Sequence, residues 1–196
     1  MRGIAAWISR TGLRLAGWKV EGSAPQAPRY VLVAAPHTSN WDFLLMKAAA
    51  TALGIRPHWV GKHTIFKAPF GSLARALGGI PIDRRASSNM VAQLARQFAQ
   101  RECMALVMPP EGTRGRAPYW KSGFYRVALA AGVPLVLSYV DFTTKTAAIG
   151  PTFMPTGDVG ADMDVVRAFY EGRQGRYPER QGPIRLEAED EIDTTR

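Results

Sequence analysis

The sequence predicts an α/β fold: a single domain on a mostly parallel mixed sheet flanked by helices, with an N-terminal amphipathic helix. Three observations predict it. From residue 30 onward, short apolar runs that suit buried strands alternate with segments of helical period. The 196 residues, 46% of them hydrophobic, suffice for one sizeable core and fall short of two. Before residue 22, apolar side chains recur at helical spacing.

On a helical wheel, Ile4, Trp7, Ile8, Thr11, Leu15 and Trp18 share one arc about 100° wide, flanked by Arg14 and Lys19. Tryptophans and cations in this arrangement suit a helix lying in a membrane interface, and a surface helix packed on its own domain has the same pattern. Arg10 and Arg14 interrupt any signal-peptide core. The apolar run 127–140, broken by Gly132 and Pro134, is shorter than the ~20 residues of a spanning helix. Residues 22–28 form a connector.

Residues 30–35 predict a buried strand and 40–53 a helix. Strands follow at 57–61 and 80–82, with a short helix at 70–77 between them. Residues 87–101 predict a helix with Met90, Leu94 and Phe98 on one face. Buried strands at 104–108 and 135–140 enclose a helix at 122–131, and 145–149 adds a strand. A helix spans 163–171. Residues 172–185, rich in Gly, Arg and Pro, carry little regular pattern. The domain boundaries are thus 1–21 for the amphipathic helix, 29–186 for the folded body and 187–196 for a flexible acidic tail.

The formal charge is +9. The tail holds five acids and one arginine, so residues 1–186 carry +13. Such a body attracts phosphorylated substrates, anionic lipid and nucleic acid, but no nucleic-acid-binding motif is present. Cys103, the single cysteine, is expected in the strand beginning there and can form no internal disulfide, which fits a reducing compartment. No serine-hydrolase elbow, phosphate-binding loop or dinucleotide fingerprint occurs. His58 and His63 lack an acid cluster, so no metal is expected.

The segment His37-Thr38-Ser39-Asn40-Trp41-Asp42 carries the chemistry. Imidazole takes protons near neutral pH, and a carboxylate on its second nitrogen fixes the tautomer. Five residues along a helix rotate by about 140°, so His37 must precede the helix and Asp42 lie in its first turn for the two to meet. Ser39 and Asp42 also read as a capping box, which leaves Asp42 a capping acid and His37 a loop histidine as the alternative.

Three further segments end or open strands: Gly78 to Arg84, Pro110-Glu111-Gly112-Thr113-Arg114, and Val133-Pro134-Leu135-Val136. Arg84 and Arg114 offer planar forks suited to phosphate, or equally to ion pairs with Asp83 and Glu111. Gly112 permits a sharp turn. Lys62 and Lys121 would add charge at a site mouth or sit on the surface. In order, the four segments resemble the glycerolipid acyltransferase family, which contains the 1-acylglycerol-3-phosphate acyltransferases, over about residues 30–142. Pro81 and Pro109 depart from the aromatics usual there.

The resemblance implies a peripheral enzyme at the cytoplasmic face of the inner membrane, working in phospholipid biosynthesis. It would move an acyl chain from acyl-CoA or acyl-ACP to a lysophospholipid hydroxyl, with no bound cofactor and no nucleic-acid partner. His37 would be the base and Asp42 its orienter. Arg84, Glu111, Gly112, Thr113, Arg114 and Lys62 would bind substrate, with Glu111 accepting from glycerol hydroxyls, and residues 133–136 would relate to the acyl donor. Backbone amides at the helix start are the candidate oxyanion donors. Other readings are an enzyme for another acceptor, such as a lyso-ornithine lipid or glycolipid, and a non-catalytic basic protein of the membrane surface. Membrane lipid and acyl carrier protein are the expected macromolecular partners.

Overall fold

The computed structural model describes residues 2–82 and 87–193. Asp83 and Arg84 lie outside the described residues. In chain order the elements are α1 (Arg2–Leu15), β1 (Lys19–Glu21), β2 (Arg29–Ala34), α2 (Trp41–Ala52), β3 (Pro57–Lys62), α3 (Gly71–Ala76) and β4 (Gly79–Ile82). Then come α4 (Ser87–Ala99), β5 (Met104–Met108), α5 (Gly123–Ala131), β6 (Leu135–Asp141), β7 (Thr146–Phe153), α6 (Val159–Tyr170) and α7 (Ala188–Asp193).

One seven-stranded sheet runs in the order β1-β7-β6-β2-β5-β3-β4. Every neighbouring pair is parallel except β6 with β7. The central strands read as unbroken apolar runs because helices cover both faces. Alternate side chains divide between them: Val31, Val33, Leu106 and Leu135 meet Leu94, Phe98, Phe124, Met163 and Val166 on one face. Tyr30, Leu32, Val107 and Val136 meet Ala50 and Ile55 on the other. Helix α1 lies on α2 through Leu13, which packs with Ala49 and Ala52. Gly132 ends α5 at φ 61°, a left-handed cap that favours glycine.

The end of β2 is pinned from β6 and α6. The Val33 carbonyl accepts from Ser138 Oγ at 2.8 Å. The buried Tyr170 hydroxyl lies 2.9 Å from the Val33 carbonyl and 3.0 Å from that of Ser138, and accepts the Ser138 amide at 3.2 Å. Burial raises this phenol well above its ordinary range, so it stays a donor.

Several expectations need correction. Helix α1 stops at Leu15, and Trp18 packs edge-on against Phe142 at 5.1 Å, on the body of the domain. Ile4, Trp7, Ile8 and Leu15 are exposed, so the predicted stripe faces outward and Leu13 makes the core contact. The short β1 leaves no signal in the sequence because three residues show no periodicity, and β7 is longer than expected. Cys103 is exposed and stands just before β5. Acidic residues expected in a flexible tail form α7, held where Arg167 meets Glu189 at 2.5 Å and Tyr119 donates to Asp190 at 2.7 Å.

Candidate active site

Loops leaving the C-terminal ends of parallel strands form a common edge, the usual place for a site in such sheets. The loop after β2 carries His37, that after β5 carries Glu111 to Arg114, and Lys62 ends β3, exposed. Because β2 pairs with β5, the first two loops are neighbours.

His37 precedes α2 and Asp42 occupies its first turn, as the spacing required. His37 Nδ1 lies 3.2 Å from Asp42 Oδ2. That contact places the imidazole proton on Nδ1 and leaves Nε2 with a free lone pair. The histidine side chain is 23% exposed and the carboxylate is buried. Asp42 Oδ2 also accepts the amides of Thr38 and Ser39, each at 2.8 Å. The acid therefore reaches back to Ser39 as a capping box requires, whereas Ser39 Oγ accepts the Trp41 amide at 3.2 Å. The amides of Thr38, Ser39 and Trp41 are thus engaged within the loop.

Glu111 fixes the same loop from the other strand. Its Oε1 accepts the His37 amide at 2.8 Å, and Oε2 is buried with no hydrogen-bond partner among the described residues. Burial lifts its carboxyl from 4.5 to about 7, opposed by the hydrogen bond from His37. Glu111 thus holds the backbone beneath His37. Gly112 adopts φ 67°, where a side chain would be strained and a Cβ would come 3.1 Å from Lys121 Cγ. Thr113 Oγ1 accepts the Gly115 amide at 3.2 Å. Arg114 is exposed and donates to Asn40 Oδ1, so it joins the start of α2 and does not pair with Glu111.

Residues 133–136 are not at this edge. They open β6 at the opposite end of the sheet and are almost wholly buried, a core role that accounts for their composition.

Sequence reasoning missed a third contributor. Between α6 and α7, residues 172–181 cross the His37 loop: the Tyr177 amide donates to Thr38 Oγ1 at 3.2 Å, and Gly175 is pressed against the Thr38 side chain. Arg180 reaches the Thr38 carbonyl at 3.5 Å. The abundance of glycine, proline and arginine there marked a loop, but nothing local named its destination.

Residues 18–140 match the acyltransferase family model. The match spans more than half of the chain, which therefore belongs to the acyltransferase family. The curated relatives it matches include the 1-acyl-sn-glycerol-3-phosphate acyltransferases of Salmonella typhimurium, 35% identical over 142 residues, and of Escherichia coli, 33% identical over the same length. These alignments cover 67% of this chain and 56% of each relative, so the chain spans little more than half their length. Among solved structures, the 1-acyl-sn-glycerophosphate acyltransferase PlsC of Thermotoga maritima shares the fold, with a TM-score of 0.61 and 17% identity over 89% of this chain and 81% of that one.

Proposed function

We propose that the protein transfers a fatty acyl group from a thioester donor, acyl-CoA or acyl-ACP, to the hydroxyl of a lysophospholipid such as 1-acylglycerol 3-phosphate. The observation that carries this is the His37–Asp42 pair, with the imidazole part-exposed and its partner buried. His37 Nε2 takes the proton from the acceptor hydroxyl as its oxygen attacks the thioester carbonyl. The tetrahedral intermediate expels the thiolate, the C–S bond breaks, and the imidazolium returns the proton to sulfur. Asp42 steadies the imidazolium. The names of the curated relatives support the phosphate-bearing acceptor, and Arg114 beside the loop gives it a cation. Arg84 is proposed as a second one, and Lys62 as charge at the mouth.

The reading includes peripheral attachment to the cytoplasmic face of the inner membrane. Among the described residues no helix is long and apolar enough to cross a membrane. Trp7 is 67% and Leu15 84% exposed on α1, with Arg10 and Arg14 exposed on the same helix. Phe70 and Leu73 add exposed apolar surface around α3. This combination suits insertion to headgroup depth with cations against anionic lipid.

The test is purified protein given labelled acyl-CoA or acyl-ACP with a panel of lysolipids, including lyso-ornithine lipid and glycolipid acceptors. His37→Ala should lower transfer by roughly 10²- to 10⁴-fold while the fold persists. Undiminished transfer by that variant would refute the mechanism, and liposome binding without turnover would favour a non-catalytic surface protein.

A further inference from the structure

Residues 172–181 lie outside the segment matched by the family model, yet they are bound to the loop that carries His37. The strap is braced at both ends. Gln174 accepts the Phe142 amide at 2.9 Å, Arg173 stacks over the Tyr139 ring at 4.3 Å, and Gln181 bridges the Gly175 amide and the Arg173 carbonyl at 2.8 and 3.1 Å. Arg176 stands between Gly175 and Tyr177, both of which touch Thr38. Its backbone is therefore fixed against the residue that follows His37.

The two exposed arginines of the strap are differently employed. Arg180 stacks on the Tyr177 ring at 4.3 Å, reaches the Thr38 carbonyl and lies 3.9 Å from Glu179. Among the described residues Arg176 is held by ring faces alone, with its guanidinium 5.7 Å from the Trp41 ring and 5.8 Å from that of Tyr177. Among the described residues it has no carboxylate within 4.0 Å. Arg114 touches Asn40 and Arg176 faces Trp41, so two guanidinium groups with no carboxylate partner among the described residues flank successive residues at the start of α2, the helix that follows the His37 loop.

We propose that Arg176 is a specificity-determining residue that grips the phosphate of the acyl acceptor, opposite Arg114. The proposal rests on the acyl-transfer reading above. Aromatic faces orient a guanidinium without neutralising it, which leaves its donor fork free for a phosphate. A strap anchored on Thr38 sets the distance between that phosphate and the imidazole.

The experiment compares wild type, Arg176→Ala and Arg176→Lys in neutral detergent micelles, with 1-acylglycerol 3-phosphate as acceptor and acyl-CoA as donor. Arg176→Ala should raise KM for the acceptor about tenfold or more, the usual loss for a charge-assisted hydrogen bond. Donor KM and kcat should stay near the wild-type values, and Arg176→Lys should recover part of the loss. Arg176 is exposed, so the variants should melt with the wild type. An unchanged acceptor KM overturns the proposal. So does a rise in donor KM instead, which would assign Arg176 to the thioester's own phosphates. A defect seen with anionic vesicles but not with micelles would assign it to bilayer headgroups and overturn it equally. If wild-type protein transfers to no phosphate-bearing lysolipid, the lysophospholipid reading on which the proposal rests fails instead.

Discussion

Glu111→Gln isolates the energetic consequence of burying an acid beneath the His37 loop. Glu111 is 7% exposed, and burial raises its carboxyl from 4.5 to about 7. Between those values the folded protein keeps a proton that the unfolded chain has released, so the folded state binds more protons and stability falls as pH rises. The full contribution is present below about 4.5, and the loss is complete above about 7. A shift of this size corresponds to about 3 kcal/mol. Glutamine cannot ionise, yet it keeps an oxygen for the His37 amide. Its NH2 group would occupy the place of Oε2, which has no partner among the described residues, a penalty of about 1–3 kcal/mol that does not vary with pH. Urea unfolding followed by tryptophan fluorescence, repeated from about pH 4.5 to 8, gives both stability curves. Wild-type stability should decline by about 3 kcal/mol relative to the variant across that window, with the variant gaining ground as pH rises. Parallel curves would refute the reasoning, because Glu111 would then titrate alike in folded and unfolded chains.

Three further outcomes are expected. On the proposed mechanism Asp42→Asn removes the charge that steadies the imidazolium, and kcat should fall roughly 10²- to 10⁴-fold with KM little changed, measured by steady-state transfer kinetics. Gly175→Ala would bring a Cβ within 2.6 Å of Thr38 Oγ1 and 2.9 Å of Thr38 Cγ2, so thermal unfolding should report a loss of about 1–3 kcal/mol. The double change Trp7→Ser with Ile8→Ser alters side chains already in solvent, so stability should hold while sedimentation with anionic vesicles weakens at least tenfold, from about 1.5–3 kcal/mol per buried side chain.

Much of this arrangement is local and therefore readable in the sequence. The spacing of His37 and Asp42 requires a loop-to-helix junction for the two to meet, and the buried strands announce themselves as apolar runs. The role of Glu111 is less local. Its side chain turns inward to the His37 amide because β5 is the neighbour of β2, a pairing that no periodicity encodes. Residues 172–181 were opaque for a similar reason. Their partner, Thr38, lies some 140 positions away, and the joining contacts are a backbone amide and a glycine face, neither of which leaves a compositional signature. The outward face of α1 was ambiguous because an apolar stripe suits water-excluding lipid and protein alike. Leu13, which lies off that stripe, makes the protein contact.

The position of Cys103 has a practical consequence. It is the sole thiol of the chain, it is accessible, and it stands at the opposite end of β5 from the Glu111 loop. Five strand residues at about 3.3 Å each separate the two ends. A maleimide dye placed there would ride clear of the chemistry and label one position per molecule. It offers a fixed vantage from which energy transfer to a labelled bilayer could gauge whether the protein settles on it and at what tilt.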